Sequence, residues 1–288
     1  MDNASTDDVQ TEAAGRRAAL DGGASTAARA SWSRSRIIAV NVVSVACFVA
    51  LWQALSATFK SPYFPSPAEI VVAFVQLVDR GDIQGTSLAT HIWASLYRIL
   101  IGFGVSVLLG VPLGLLMGLY RNAYASLRAV IEPFRFIPPI AWIPLAIIFF
   151  SGLTRFAFLI FIGAFFPIFT ATMVGVARVE PIHRKVALVH GAGKLYILTH
   201  IVIPTVLPDI LGGMRVGLGA AWLTIVAAEL VGGSTTGLGR MIINYSELLR
   251  IPEVVVGMIL IGLIGLAMNE ALLLLERYLF RWRWEVKL

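Results

Sequence analysis

Long apolar runs separated by short polar segments dominate the chain after residue 36. A helix that crosses the hydrocarbon core of a bilayer needs about 20 largely apolar residues. Six runs meet that need: Ile37 to Phe59, Ser95 to Leu119, Ala129 to Phe150, Phe156 to Ala177, Leu211 to Val231 and Val254 to Phe280. The third contains Pro133, Pro138, Pro139 and Pro144. A helix broken there is tolerated in a membrane only where neighbouring protein satisfies the freed backbone groups.

Three polar stretches separate the runs. Pro62 to Thr90 carries Pro65-Ser66-Pro67-Ala68-Glu69, a turn into a short helix whose Ile70, Val71, Phe74 and Leu77 share a face. Ser234 to Pro252 is weakly amphipathic. Arg178 to Pro208 has too few consecutive apolar residues to span. Its Val186 and Val189 lie on one helical face, Gly191 and Gly193 break that helix, and a second helix runs from Lys194 to a stop at Pro204. Two short helices with a glycine elbow would make a knob. The same pattern also suits an amphipathic helix lying on a membrane surface. The reading is all-α, integral to the membrane, with six transmembrane helices, no sequence repeat and no separate globular domain.

Composition narrows the solvent. Of the 288 residues 58% are hydrophobic and 14% charged, with a mean hydropathy of +0.81. A soluble domain carries about 25% charged residues, so the bilayer is the environment that fits. The net charge of +6 is not a nucleic-acid footprint, because the cations sit in short clusters between apolar runs. With the N-terminus cytoplasmic, fifteen of the 23 lysines and arginines fall on inner segments and five on outer ones. That bias places both termini in the cytoplasm. Residues 1–36, rich in Ala, Ser, Thr, Gly and Asp, read as a disordered cytoplasmic tail. The first apolar run reads as an uncleaved anchor rather than a signal peptide. Residues 37–288 form the transmembrane domain. Cys47 is the single cysteine and makes no internal disulfide.

Candidate chemistry is sparse. Gly110, Gly114 and Gly118 recur at every fourth position, as do Gly213, Gly217 and Ala221; such strips let helices approach closely. Arg135 and Glu229 are charges within spans, which usually face a cavity or a partner. Arg135 beside Pro138 and Pro139 would suit an anion, helped by exposed helix ends. A structural salt bridge, with Arg215 or Arg135 meeting a glutamate, is the competing reading. Trp142 and Trp222 lie deeper than interface anchors and suit either a gate or core packing. Gly191-Ala192-Gly193-Lys194 is not a phosphate loop, because Leu188 and Leu195 stand where Gly and Ser or Thr are required. The four histidines lack a metal-ligand framework. No catalytic cluster is visible.

One segment resembles a known family. Bacterial importer permeases carry a loop of the form Glu-Ala-Ala, three residues, Gly, nine residues, Ile, one residue, Leu-Pro. In this chain Lys185-Val186-Ala187, Gly191, Ile201 and Ile203-Pro204 keep that spacing, with Lys185, Val186 and Ile203 departing in residue type. Arg135 to Leu145, with its prolines and Trp142, resembles the third span of the taurine, aliphatic sulfonate and nitrate permeases. Gly217 to Trp222 and Val226 to Leu230 resemble their fifth. The resemblance implies a type I ABC importer permease (MetI-like) fold in a bacterial inner membrane. It implies that Lys185, Val186, Ala187, Gly191, Ala192, Gly193, Ile201 and Pro204 form the loop that docks on an ATP-binding subunit. It implies partners: a second copy, two cytoplasmic ATP-binding subunits that hold ATP and magnesium, and an external solute-binding protein, with membrane lipid around them and no nucleic acid. Arg135, Pro138, Pro139, Trp142, Trp222 and Glu229 would then be candidates for the translocation path of a small anion, taurine or another sulfonate first, with nitrate, bicarbonate or an aromatic acid behind. A secondary transporter or channel is the alternative, and it would not need the Gly191-to-Pro204 spacing.

Overall fold

The computed structural model describes residues 34–59, 61–231 and 233–279. The expected disordered tail over 1–33 and the end of the sixth run at Phe280 lie outside them. Two compact units divide the chain, residues 1–54 and 55–288. Among the described residues five helices are long and apolar enough to cross a membrane, with a sixth span if one bent pair counts as a single crossing.

The first is α1, Arg34–Phe59, which begins two residues before the expected tail ends. Next, α2 covers Pro67–Arg80. Its start is fixed by a reciprocal cap: the Glu69 N–H donates to Ser66 Oγ at 3.2 Å, and the Ser66 N–H donates to the Glu69 carboxylate at 2.7 Å. The buried face of α2 is Ile70, Ala73 and Leu77. This corrects the expected face, since Val71 is 61% exposed and Phe74 41% exposed.

The central helices are α3, Leu88–Leu119, α6, Gly152–Ala177, and α9, Ile203–Val231. The glycine strips set their register. A Cβ at Gly102 would fall 2.5 Å from Ile160 Cβ, and one at Gly118 would fall 2.5 Å from Val176 Cβ. The residue numbers of both helices rise in the same direction, so α3 and α6 run parallel. Gly163 faces Thr224, whereas Gly175 faces Asp209, so α9 is antiparallel to α6. The final helix, α11 (Ile251–Leu279), is antiparallel to α9, because Trp222 meets Ile261 and Arg215 meets Glu276.

Parallel α3 and α6 require the chain between them to return the length of the bundle, on the order of 35–40 Å at 1.5 Å per residue. That return is made by α4, Arg121–Phe136, and α5, Ile143–Phe149, which are bent by 91° at Pro138 and Pro139. The third span is therefore not one helix from 129 to 150. Pro138 takes an extended conformation, φ −58° and ψ 137°, and a single 3₁₀ turn, Pro139–Trp142, leads into α5.

The remaining elements cap the two ends. At the end where α6 finishes and α9 begins lie α7, Pro181–Val189, and α8, Lys194–Ile197. At the other end α10, Leu238–Glu247, packs against α3, α9 and α11.

Candidate functional site

Three features lie in the second unit: an elbow, a cavity and a buried polar network. The elbow joins α7 to α8. Gly191 has φ +78°, where a Cβ is penalised, and its N–H donates to Leu188 O at 3.0 Å. The Ala192 N–H reaches back to Ala187 O at 3.0 Å. These two bonds together are a Schellman ending, which turns the chain sharply with few unmet carbonyls. Space is open around Gly191 and Gly193, so it is backbone conformation that selects glycine at 191.

Pro204 does not end the second helix. A π turn over Leu198–Val202 carries α8 directly into α9, with the Ile203 N–H donating to Leu198 O. The wider turn accommodates a residue that has no N–H and clashes with the preceding turn. The elbow is thus welded to a long helix. Its inner side packs Ala187, Ala192, Leu198 and Ile201 against the core of Val176, Val179, Ile197, Val202, Val206 and Ile210. Its outer side leaves Val189 85% exposed and Leu195 73% exposed. Lys185, Val186, Gly191, Gly193 and Pro204 are exposed as well, while Ala187, Ala192 and Ile201 are half-buried.

The cavity, about 720 Å³, lies between the proline break, α6 and α9. Arg135, Ile137 and Pro139 form one wall. Phe166, Thr170 and Val174 come from α6, and Asp209, Gly213 and Val216 from α9. The Arg135 guanidinium lies 5.1 Å from the Phe136 ring centroid and makes no ion pair among the described residues. Asp209, by contrast, accepts from Arg178 at 3.0 Å. The walls are otherwise mostly apolar, so a bound anion would have Arg135 as its charged contact.

Of the residues expected on the path, Arg135 and Pro139 line this cavity. Pro138, Trp142, Trp222 and Glu229 do not. Trp142 stacks on Phe134 at 6.0 Å and meets Phe158 edge-on at 6.2 Å. Trp222 is buried, and its indole N–H donates to Ile261 O at 3.1 Å.

Glu229 sits in the buried network, with no exposed surface. Arg98 Nη1 donates to it at 2.6 Å, Ser95 Oγ at 2.9 Å and the Gly239 N–H at 3.0 Å. Arg98 also donates to Thr236 O at 2.7 Å and lies over the Phe156 ring at 4.3 Å. One helical turn away, His91 Nε2 meets Asp82 Oδ2 at 3.0 Å while the Gly237 N–H donates to His91 Nδ1 at 3.1 Å. Together these bonds tie α3 to the 233–239 segment. Glu229 therefore has Arg98 as its partner, and Arg215 meets a glutamate, Glu276, as the salt-bridge reading expected. Arg98, Ser95 and His91 escape a span-by-span reading of the sequence. The available signal is their spacing: positions 91, 95 and 98 put three polar side chains on one face of an apolar helix. Asp209 escapes as well, because nothing local marks it.

Residues 110–284 match the family described as binding-protein-dependent transport system inner membrane components. This chain belongs to that family. A protein of Methanocaldococcus jannaschii named as an ABC transporter permease is 39% identical over 82% of this chain and 88% of its own length. The taurine transport system permease protein of Escherichia coli is 33% identical over 89% of this chain and 94% of its own. The nitrate import permease protein of Synechocystis is 33% identical over 81% and 86%. The matched region of the permease contains the cavity, the elbow and Glu229. The all-α, multi-span membrane reading and the resemblance to ABC transporter permeases both hold.

Proposed function

We propose that this permease is the membrane half of an ATP-driven importer for a small organic anion, a sulfonate such as taurine first. It works as a pair of copies with two ATP-binding subunits on the cytoplasmic side and an external solute-binding protein. ATP and magnesium sit on the partner subunits.

The observation that carries the reading is the elbow. It is a knob with an apolar outer side, set beyond the crossing helices and continuous with α9 through the π turn. A partner that grips the knob can move α9 as a lever. Since α9 lines the cavity through Asp209, Gly213 and Val216, such a movement would reshape the cavity wall opposite Arg135. Displacement of the knob on ATP binding would thus alter access to the cavity, and release after hydrolysis would reset it. Arg135 supports an anionic solute, because it lines the cavity and makes no ion pair among the described residues, while Asp209 across the cavity is taken up by Arg178. The mostly apolar walls favour an anion with a carbon body over nitrate or bicarbonate.

The test is co-expression with the ATP-binding subunit of the proposed importer. A stable complex of two permeases and two ATPases is expected, and Gly191→Trp should abolish it while leaving the chain in the membrane. Gly191→Ala, a milder variant, should weaken it. A Gly191→Trp protein that still co-purified and transported would overturn the assignment of the elbow. Arg135→Gln should raise the KM for uptake about tenfold or more, the value of a charged hydrogen bond. Unchanged uptake would remove Arg135 from the path.

A further inference from the structure

The elbow carries a charge pattern that its docking role alone does not require. From Pro181 to Pro208 there is no aspartate or glutamate, while Arg184, Lys185 and Lys194 lie there with His183, His190 and His200. Arg184 is half-buried, with a guanidinium nitrogen 3.4 Å from Val176 O. Lys185 and Lys194 are exposed, and neither makes an ion pair among the described residues.

Lys185 has an unusual position. Ile182, Lys185 and Val189 follow one another at helical spacing along α7, so one exposed face reads apolar, cationic, apolar. Ile182 is 55% exposed, Val186 beside it 50% and Val189 85%. Any groove that covers this stripe also covers the lysine. Burying an ammonium without a counter-charge is strongly unfavourable, so a groove that fits must present an acid opposite it. A membrane surface fits the stripe less well. Helices that lie on lipid keep their cations on the polar face and an unbroken apolar face beneath. In α7 the cation interrupts the apolar face itself.

We propose that Lys185 is a specificity determinant of this interface, pairing with a carboxylate on the groove wall of the ATP-binding subunit. This rests on the docking role of the elbow. The partner is then recognised by sign as well as by shape: an ATPase whose groove carries a cation at that point is rejected.

The experiment measures the affinity of the full-length permease, in nanodiscs, for the ATP-binding subunit of the proposed importer. Lys185→Glu should weaken binding about 30-fold or more, as expected for a like-charge contact replacing a buried pair. Lys185→Gln should give a smaller loss, and Lys185→Arg should stay within about threefold of the parent. Because Lys185 is exposed, all three variants should keep the parent's melting temperature, which separates a binding defect from a folding defect. Suppressors of Lys185→Glu should map to an aspartate or glutamate of the ATPase. If the parent binds but Lys185→Glu binds equally well, the charge proposal falls and the docking role stands. If the parent does not bind, the docking role falls with it. Discs of phosphatidylcholine alone and discs containing phosphatidylglycerol separate the remaining possibility. A Lys185 effect seen only with phosphatidylglycerol would assign the lysine to lipid headgroups and overturn the proposal.

Discussion

Glu229 shows how a buried charge in a membrane protein can be structural. Its carboxylate receives Arg98, the Ser95 hydroxyl and the Gly239 N–H, all within 3.0 Å. Removing the acid strands a guanidinium that is only 12% exposed. Glu229→Ala should therefore cost about 3–5 kcal/mol, the range for breaking one side of a buried pair. Ser95→Ala removes one neutral donor to the carboxylate and should cost about 1–3 kcal/mol. Denaturation of the purified permease measures both. Ser95→Ala should also leave the KM for uptake unchanged, whereas a changed KM would put the network on the transport path. The sequence marks Glu229 as exceptional, because a lone acid in an apolar run is conspicuous. It does not mark the partner, since Arg98 lies 131 residues away. Only the three-fold polar spacing of His91, Ser95 and Arg98 hints at it. Arg135 is readable in the same way, as a cation among prolines, but Asp209 across the cavity is not.

At the scale of elements, the glycine strips are legible as close-packing faces, and they set the register of α3, α6 and α9. Their energetic weight differs along one helix. At Gly118 an added Cβ meets Val176 at 2.5 Å, whereas one added at Gly104 meets no neighbouring helix within 4 Å. Gly118→Ala should thus destabilise by about 1–3 kcal/mol, the cost of overpacking. Gly104→Ala should be neutral or slightly stabilising, because alanine is the better helix former. Equal melting temperatures for the two variants would contradict the pairing of Gly118 with Val176. Proline is the less reliable sign. Pro138 and Pro139 do break the third span, where two consecutive rings leave no helical alternative. Pro112, Pro167 and Pro208 sit inside continuous helices, and Pro204 is absorbed by a π turn. One missing N–H can be accommodated by a local widening of the helix, and the sequence does not say where that will happen. The α2 face misleads in part: Ile70 and Leu77 are buried as expected, but the small Ala73 takes the third buried place while the larger Val71 and Phe74 are exposed.

At the scale of the molecule, the six apolar runs are legible because length and hydropathy are local properties. The direction of each crossing follows from packing. Parallel α3 and α6 force the broken α4–α5 pair to return across the bilayer, which turns a doubtful span into a required one. The elbow and the start of α3 then belong to opposite faces, since α3 begins at one end of the bundle and α6 finishes at the other, and Tyr63 falls in the polar stretch expected on the same face as the start of α3. The proposed function needs the elbow end, where Arg178, Arg184, Lys185 and Lys194 cluster, to be the cytoplasmic one, as the bias of cations toward inner segments leads one to expect. This is testable with single cysteines. Cys47 is exposed and would be replaced by serine first. Tyr63 is 64% exposed and Val189 85%, so each accepts a cysteine with little structural cost. Tyr63→Cys should react with a membrane-impermeant maleimide in intact cells, and Val189→Cys only once the cytoplasmic face is opened. The reverse pattern would place the elbow outside, where no ATP-binding subunit could reach it, and the importer reading would fail with the topology. Labelling of Val189→Cys should also be blocked when the ATP-binding subunit is present, because the most exposed residue of the knob would then lie inside the groove. Protection at 189 with none at 63 would join orientation and coupling in one measurement.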